Sequence, residues 1–184
     1  MPAPLTDRRV LIMATDGFEQ SELEVPSSKL REAGAEVRVA SLKNGEINGW
    51  DEGDWGNAVH VDLLIADANV DDFDALVLPG GQINPDLLRV EEDAIALIQA
   101  FASAQKPIAA ICHAPWLLIE AGIAKGRSMT CYKSIRTDMI NAGAKLVDRP
   151  AVVDGKIITS RGPDDLPDFC DAIIEALADA PTDA

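Results

Sequence analysis

The sequence predicts an α/β fold with a mostly parallel central sheet, and three observations support this prediction. Short unbroken aliphatic runs alternate with segments of helical periodicity, which is typical of parallel strands joined by helices. Hydrophobic residues form 47% of the chain but aromatic residues only 4%. Aliphatic side chains must therefore fill the core, as in sheets that helices cover on both faces. A length of 184 residues suits a single core, so we expect one domain over residues 1–184.

The elements of the first half follow in order. An aliphatic strand at 9–15, a helix at 21–33 that ends before Gly34, and an alternating strand at 36–41 form a β-α-β step. The stretch 43–57 is rich in Gly, Asn, Asp and Trp and predicts a hairpin with exposed turns. Residues 60–66 predict an extended segment. A buried strand at 74–79 then ends on Gly80 and Gly81, and a helix follows at 91–104.

The second half continues the alternation. A strand at 107–112 leads to a helix at 115–121, and a further helix is expected at 134–141. The pair Asp154-Gly155 predicts a hairpin between strands at 151–153 and 156–159. The last helix is expected at 164–177, which requires Pro167 to lie in its first turn. Cys131 is expected on a strand and Cys170 on this helix, both as packing residues.

Charge and cysteine content restrict the partners and the compartment. The formal net charge of −15 argues against binding to nucleic acid or to anionic membranes. No apolar run reaches 18 residues, and residues 1–9 lead into a strand without an apolar leader segment, so we expect a cytoplasmic protein. Three separated cysteines and two histidines predict neither a disulfide framework nor a metal site. No cofactor is expected.

The segment from Ala110 to Pro115 carries the strongest chemical signal. Cys112 ends an aliphatic strand, and Pro115 stands where a first helical turn tolerates proline. Small residues around a strand-to-helix turn are typical of a nucleophile elbow. The unpaired N–H groups of the following helix would lower the pKa of the thiol. The alternative is that Cys112 is a small core residue, as most free cysteines are.

Two other strand ends should lie close to the thiol. Gly80 and Gly81 allow close backbone approach and free amides, which suits an oxyanion hole, although an ordinary loop has the same residues. Glu19 and Glu22 open the first helix and either complement its dipole or share a proton with the thiol. His113 follows Cys112 directly, and we expect its side chain to turn towards another partner.

Three aromatic or imidazole side chains lie outside these strand ends. We expect His60 to be structural. Trp50 and Trp55 could rim a pocket or cover a sheet edge, and the sequence does not separate these alternatives.

Several motifs in order resemble the ThiJ/PfpI superfamily, in its PfpI intracellular endopeptidase-like branch, which is class I glutamine amidotransferase-like. They span the chain from Gly17 to Pro167: Gly17-Phe-Glu-x-x-Glu22, Leu76-Val-Leu-Pro-Gly-Gly81, Ala110-Ile-Cys-His-Ala-Pro115, Asp138-Met-Ile-Asn-Ala-Gly143, Val152-Val-Asp-Gly155 and Ser160-Arg-x-Pro-Asp-Asp-Leu-Pro167. The resemblance implies a flavodoxin-like three-layer sandwich and a homodimer or a higher oligomer.

The resemblance also implies roles for individual residues. Cys112 is the nucleophile, His113 resembles the catalytic histidine, and Glu22 resembles the glutamate that hydrogen-bonds the cysteine. The amides of Gly81 and His113 would form the oxyanion hole. Some members complete a triad with an acid from the neighbouring subunit. Asp86 is the nearest candidate here, but it lies one residue further along and replaces Glu. Ala114 stands where Gly is frequent.

The expected function is that of a general stress-response protein that acts through Cys112. The resemblance favours a hydrolase, deglycase or glyoxalase III-like enzyme, and its substrates would be reactive dicarbonyls and glycated proteins. Two alternatives stay open. One is a redox-sensing or chaperone protein that uses oxidation of Cys112, and the other is an intracellular cysteine peptidase.

Overall fold

A computed structural model describes residues 4–181. The ends of the predicted domain 1–184 lie outside the described residues, and so does the start of the N-terminal segment 1–9, which is predicted to lack an apolar leader. The strands are β1 (Arg9–Met13), β2 (Phe18–Glu19), β3 (Glu36–Ser41), β4 (Gly45–Asp51), β5 (Asp54–Val61), β6 (Leu63–Leu64), β7 (Ala75–Leu78), β8 (Ile108–Ile111), β9 (Ser128–Met129), β10 (Lys145–Leu146), β11 (Ala151–Asp154) and β12 (Ile157–Ser160). The helices are α1 (Gln20–Glu32), α2 (Ile83–Leu88), α3 (Glu92–Ser103), α4 (Pro115–Glu120), α5 (Arg136–Asn141) and α6 (Leu166–Ala178).

The central sheet contains seven strands in the order β11-β12-β8-β7-β1-β3-β6. Its strand pairs are parallel except for the edge strand β11, which pairs antiparallel with β12. The predicted mostly parallel sheet is therefore confirmed. β4 and β5 form an antiparallel hairpin that β2 extends to three strands, and β9 and β10 form a separate parallel pair.

Two hydrophobic clusters cover the two faces of the sheet. Successive strand residues point to opposite faces, so Leu11 and Met13 pack into one cluster while Val10 and Ile12 pack into the other. The first cluster includes buried side chains of α3, α4 and α5, and the second includes those of α1 and α6. The molecule is thus the flavodoxin-like three-layer sandwich that the resemblance implied. Within residues 4–181, no helix combines the length and the apolarity needed to cross a bilayer.

The path of the chain determines where a site can form. After β1 the chain adds β3 on one side, and it later adds β7 on the other side of β1. The order of the strands thus reverses between β1 and β7, and ligands of such sheets bind outside the carboxyl ends of the strands at this reversal. The loops after β12, β8, β7 and β1 lie side by side there.

Several element boundaries differ from the prediction. The extended segment at 60–66 is divided between the end of β5, the short β6 and a 3-10 turn at Ile65–Asp67. Cys131 is not on a strand, since β9 ends at Met129, whereas Cys170 lies on α6 as expected. The sequence did not predict the two-residue strands or α2. In α2, six residues around an internal proline show no helical periodicity. Pro115 and Pro167 do lie in first helical turns.

Candidate active site

Cys112 occupies a sharp turn between β8 and α4. Its φ of +66° lies in the left-handed region, which is uncommon for a residue with a side chain. The turn is fixed on both sides, because the Cys112 amide donates to the Ser160 carbonyl (3.0 Å) and its carbonyl accepts from the Tyr132 amide (2.8 Å). Strain of this kind is typical of functional sites. The side chain is nearly buried, with 5% of the residue exposed.

Glu22, in the first turn of α1, is fully buried against this turn. Burial raises the pKa of its carboxyl group to about 8, and the charge of Glu19 contributes in the same direction. The Cys112 thiol and the amides of Gly80 and Gly81 oppose this rise in pKa. Among the residues that the structure describes, neither carboxyl oxygen has a hydrogen-bond partner of standard geometry. The protonated form of the group therefore predominates at neutral pH, beside the thiol and the glycine amides.

The thiol itself is less acidic than the sequence predicted. Burial raises the pKa of Cys112 well above its ordinary range, and the Glu22 carboxylate raises it further, while the amides of Gly81 and His113 lower it. The expected lowering by the helix N-terminus is wrong. The physical reason is that the loss of hydration on burial and the like charge of Glu22 outweigh the backbone amides of Gly81 and His113, which lower the pKa. A thiolate therefore needs a nearby group to take the proton.

His113 provides such a group. Its Nδ1 lies 3.2 Å from the Cys112 Sγ, and its Nε2 lies 3.2 Å from the Ser134 hydroxyl. His113 thus reaches another partner, Ser134, as expected, but it also remains in contact with the thiol. Two aromatic rings fix the imidazole in this position. It stacks on Tyr132 at 4.7 Å and meets the edge of Trp116 at 5.2 Å. Burial lowers its pKa, which favours the neutral ring, the form that can accept a proton.

Trp116 is itself held in place from two sides. Its indole N–H donates to Asp138 (2.9 Å), and the Arg89 guanidinium lies 4.8 Å above its ring. Arg89 pairs in turn with Glu120 and with Asp86. These contacts support the wall of the imidazole pocket from outside.

The loop after β7 approaches the sulfur through glycine. A Cβ on Gly80 would lie 2.6 Å from the Cys112 Cβ and 2.7 Å from a Glu22 oxygen, so no larger residue fits. Gly81 has a φ of +81°, and a Cβ there would lie 2.5 Å from the Gly17 carbonyl oxygen. The loops after β1, β7 and β8 are therefore packed backbone to backbone. The backbone amides of Gly81 and His113 lower the pKa of the Cys112 thiol.

Asp86 does not join this group within the chain. It lies on α2, 64% of its side chain is exposed, and it pairs with Arg89 at 3.7 Å. His60 is 75% exposed and lies 3.9 Å from Asp62. Trp50 and Trp55 meet edge to face on the hairpin, with ring centroids 5.4 Å apart.

A cleft of about 560 Å³ has Tyr132, Arg136 and Arg161 in its lining, whereas Cys112, His113 and Glu22 do not line it. Arg161 binds the buried Asp165 through two parallel bonds of 2.8 and 2.9 Å and reaches Asp148 at 3.1 Å. This volume suits a small organic molecule. Among residues 4–181 no three His, Cys, Asp or Glu side chains gather as a metal site would require.

Sequence reasoning missed four contributors to this site. Ser134 and Tyr132 contact the imidazole, and Trp116 forms its edge. Asn84, on α2, is fully buried and hydrogen-bonds the loop that contains Gly80. Only Asn84 carried a usable signal, as a polar residue shortly after the glycine pair.

Comparison with known proteins agrees with the fold and the motifs. The DJ-1/PfpI family model matches residues 8–176. A deglycase of Pyrococcus abyssi is 48% identical over 158 residues, which cover 86% of this chain and 92% of that protein. General stress protein 18 of Bacillus subtilis is 43% identical over 164 residues, covering 88% and 93%. The crystal structure of Drosophila melanogaster DJ-1beta aligns with a TM-score of 0.84 at 34% identity, covering 94% of this chain and 91% of that one. The chain belongs to the DJ-1/PfpI family.

Proposed function

We propose that this protein is a cysteine-dependent enzyme of the general stress response that converts reactive dicarbonyls and their protein adducts to hydroxy acids. The observation that carries the proposal is the 3.2 Å contact between the Cys112 Sγ and a neutral imidazole nitrogen, beside the buried carboxyl of Glu22. The names of the relatives, a deglycase and a general stress protein, support it at the level of the family.

The first step is the addition of sulfur to an aldehyde carbon. As the C–S bond forms, the Cys112 proton passes to the Nδ1 of His113, and the carbonyl electron pair moves to oxygen. The amides of Gly81 and His113 stabilise the developing oxyanion. The imidazolium then returns the proton to this oxygen, giving a hemithioacetal. Because the imidazole takes the proton during attack, a high thiol pKa is compatible with catalysis.

The second step is a proton transfer between neighbouring carbons. The ionised fraction of Glu22 removes the proton from the carbon bonded to sulfur and returns it to the adjacent carbonyl carbon. The hydroxyl proton on the first carbon passes to the carbonyl oxygen on the second, which gives the thioester of a 2-hydroxy acid. Water, deprotonated by His113, hydrolyses the thioester and releases the thiol. For methylglyoxal the sum is addition of one water to give lactate, so no oxidant or reductant is required.

Two alternative functions use the same thiol. A redox sensor would oxidise Cys112, and protonated Glu22 could donate a hydrogen bond to the oxidised sulfur. An intracellular peptidase would need an acid on His113, and Asp86 from a neighbouring subunit is the candidate. Ser134 already contacts the Nε2 of His113 in this chain, so we place the peptidase last.

We further propose a single-domain cytoplasmic protein that forms a homodimer or a higher oligomer. Exposed apolar residues beside the site support an interface there, since Leu87 is 45% and Val90 76% exposed. Light scattering of the purified protein tests the assembly. A monomer at micromolar concentration would contradict this part of the proposal.

The test of function is lactate release from methylglyoxal and from a preformed, desalted methylglyoxal adduct of a peptide. The buffer must lack amines, which would capture the dicarbonyl themselves. We expect Cys112→Ser to reduce turnover by at least about a thousandfold and Glu22→Gln by about a hundredfold or more. Glu32→Gln, on the exposed side of the same helix, serves as the matched control.

Each outcome has a distinct meaning. Turnover that survives Cys112→Ser would exclude the proposed chemistry. Absence of turnover in the wild type, together with stoichiometric oxidation of Cys112 by dilute peroxide, would favour the redox sensor. Activity on free methylglyoxal alone would restrict the substrates to small dicarbonyls.

A further inference from the structure

Asn84 joins two of the strand ends that surround the thiol. Its Oδ1 accepts from the Thr15 amide after β1 (2.8 Å). Its Nδ2 donates to the carbonyls of Pro79 (2.9 Å) and Gly80 (3.2 Å) after β7. The residue is fully buried. A side-chain amide has two donors and one accepting oxygen, and all of them are used here.

The Gly80 carbonyl is held from two directions. Besides the Asn84 side chain, the backbone amide of Glu19 donates to it at 3.2 Å. The peptide between Gly80 and Gly81 is trans and planar, so its C=O and N–H point in opposite directions. Fixing the carbonyl towards Asn84 and Glu19 therefore fixes the direction of the Gly81 N–H. This peptide lies against the Cys112 side chain, and the Gly81 amide lowers the pKa of the thiol.

The loop cannot provide this rigidity from its own sequence. Glycine adopts either sign of φ readily, so a Gly-Gly peptide can rotate as a unit more easily than other peptides. Such a rotation would aim the Gly80 carbonyl oxygen, an acceptor, at the sulfur and at the oxyanion. A stiffer residue at position 80 is excluded by the contacts with Cys112 and Glu22. The restraint has to come from a side chain outside the glycine pair.

We propose that Asn84 is a positioning residue that locks the Gly80–Gly81 peptide with its N–H directed at the Cys112 sulfur. This inference rests on the proposed role of Cys112 as the nucleophile. Asn84 contacts neither the sulfur nor a reacting atom, and it acts through the orientation of one peptide.

Two substitutions test the lock. Asn84→Leu keeps the approximate shape and removes both donors as well as the acceptor for the Thr15 amide. Asn84→Asp keeps the acceptor for Thr15 and retains one donor only while its carboxyl is protonated. We expect Asn84→Leu to lower kcat about a hundredfold, as loss of one oxyanion donor does, with little change in KM. The kcat of Asn84→Asp should lie between those of the wild type and Asn84→Leu at low pH, and it should approach that of Asn84→Leu as pH rises.

A second readout does not depend on turnover. The pH profile of Cys112 alkylation by iodoacetamide, followed by mass spectrometry of the Cys112 peptide, reports the thiolate. Loss of the amide donor should move this profile to higher pH in both variants. Ile98→Val in α3 is the control, because it removes a fully buried methylene and lowers stability without the loss of a hydrogen-bond donor.

The outcomes separate this inference from the proposed function. Variants that melt at lower temperature but keep the wild-type alkylation profile and kcat would show that Asn84 is only structural and would overturn the lock. If Asn84→Leu does not fold, Asn84→Asp decides the question. If Cys112→Ser keeps turnover, the proposed function fails, whereas the alkylation profiles still test the orientation of the peptide.

Discussion

Replacing Glu22 with glutamine removes a buried ionisable group and keeps its shape, and the effect on stability should depend on pH. The carboxyl pKa is 4.5 in the unfolded chain and about 8 in the folded protein. Between these values the folded state holds a proton that the unfolded state has lost. The contribution of this group to the free energy of unfolding is therefore greatest below about pH 4.5. It falls as pH rises, until the group ionises in the folded protein near pH 8.

The magnitude follows from the size of the shift. At about 1.4 kcal/mol for each pH unit, the carboxyl destabilises the fold by about 3 kcal/mol at pH 7 and by nearly 5 kcal/mol above pH 8. Glutamine cannot ionise. The unfolding free energy of Glu22→Gln minus that of the wild type should therefore be larger by this amount than the same difference at pH 4.5. A gain of this size is large beside the usual stability of a domain, about 5–15 kcal/mol.

The assay is urea unfolding of both proteins at fixed concentration, at five pH values from 5 to 9. The difference in unfolding free energy should grow by about 1.4 kcal/mol per unit up to pH 8 and then level off. Glu32→Gln is the control, since this side chain is 65% exposed on the same helix and should give no such slope. A difference that stays constant within about 0.5 kcal/mol from pH 5 to 8 would refute the reasoning.

Two further substitutions test individual contacts. Gly80→Ala should destabilise the protein by about 1–3 kcal/mol and abolish turnover, because the new Cβ would lie less than 3 Å from atoms of Cys112 and Glu22. Thermal melting and lactate release measure the two effects. An active and stable variant would contradict the close packing. Ser134→Ala should lower kcat about tenfold by freeing the imidazole, with rescue by Ser134→Thr, whereas Asp86→Asn should leave the rate unchanged if Ser134 is the partner of His113. The opposite pattern would assign this role to Asp86 of a neighbouring subunit.

Local patterns were sufficient to predict the sheet and the turn at Cys112. An aliphatic run such as Ile108–Ile111 is buried in any α/β arrangement, and the proline after it limits where α4 can begin. The sequence also predicted that the glycine pair lies beside the thiol, because carboxyl ends of parallel strands share one edge. The two-residue strands and α2 are too short for periodicity to be visible.

The electrostatics of the site could not be predicted in the same way. The thiol pKa depends on how completely Cys112 and Glu22 are buried, which is a property of the assembled layers. The direction of the His113 ring depends on Tyr132, a residue 19 positions later that stacks on it. The role of Asn84 depends on amide and carbonyl groups from two different strand ends. Each of these is a tertiary contact without a local signature.

The left-handed backbone at Cys112 has a consequence for the evolution of related chains. Together with the buried carboxyl of Glu22, it costs stability that an inactive protein has no reason to retain. A gene copy released from selection for the chemistry should accumulate glycine or asparagine at position 112 and an uncharged residue at position 22, since both changes stabilise the fold. The joint retention of cysteine and glutamate at these positions in a genome would therefore be a signature of purifying selection for the reaction.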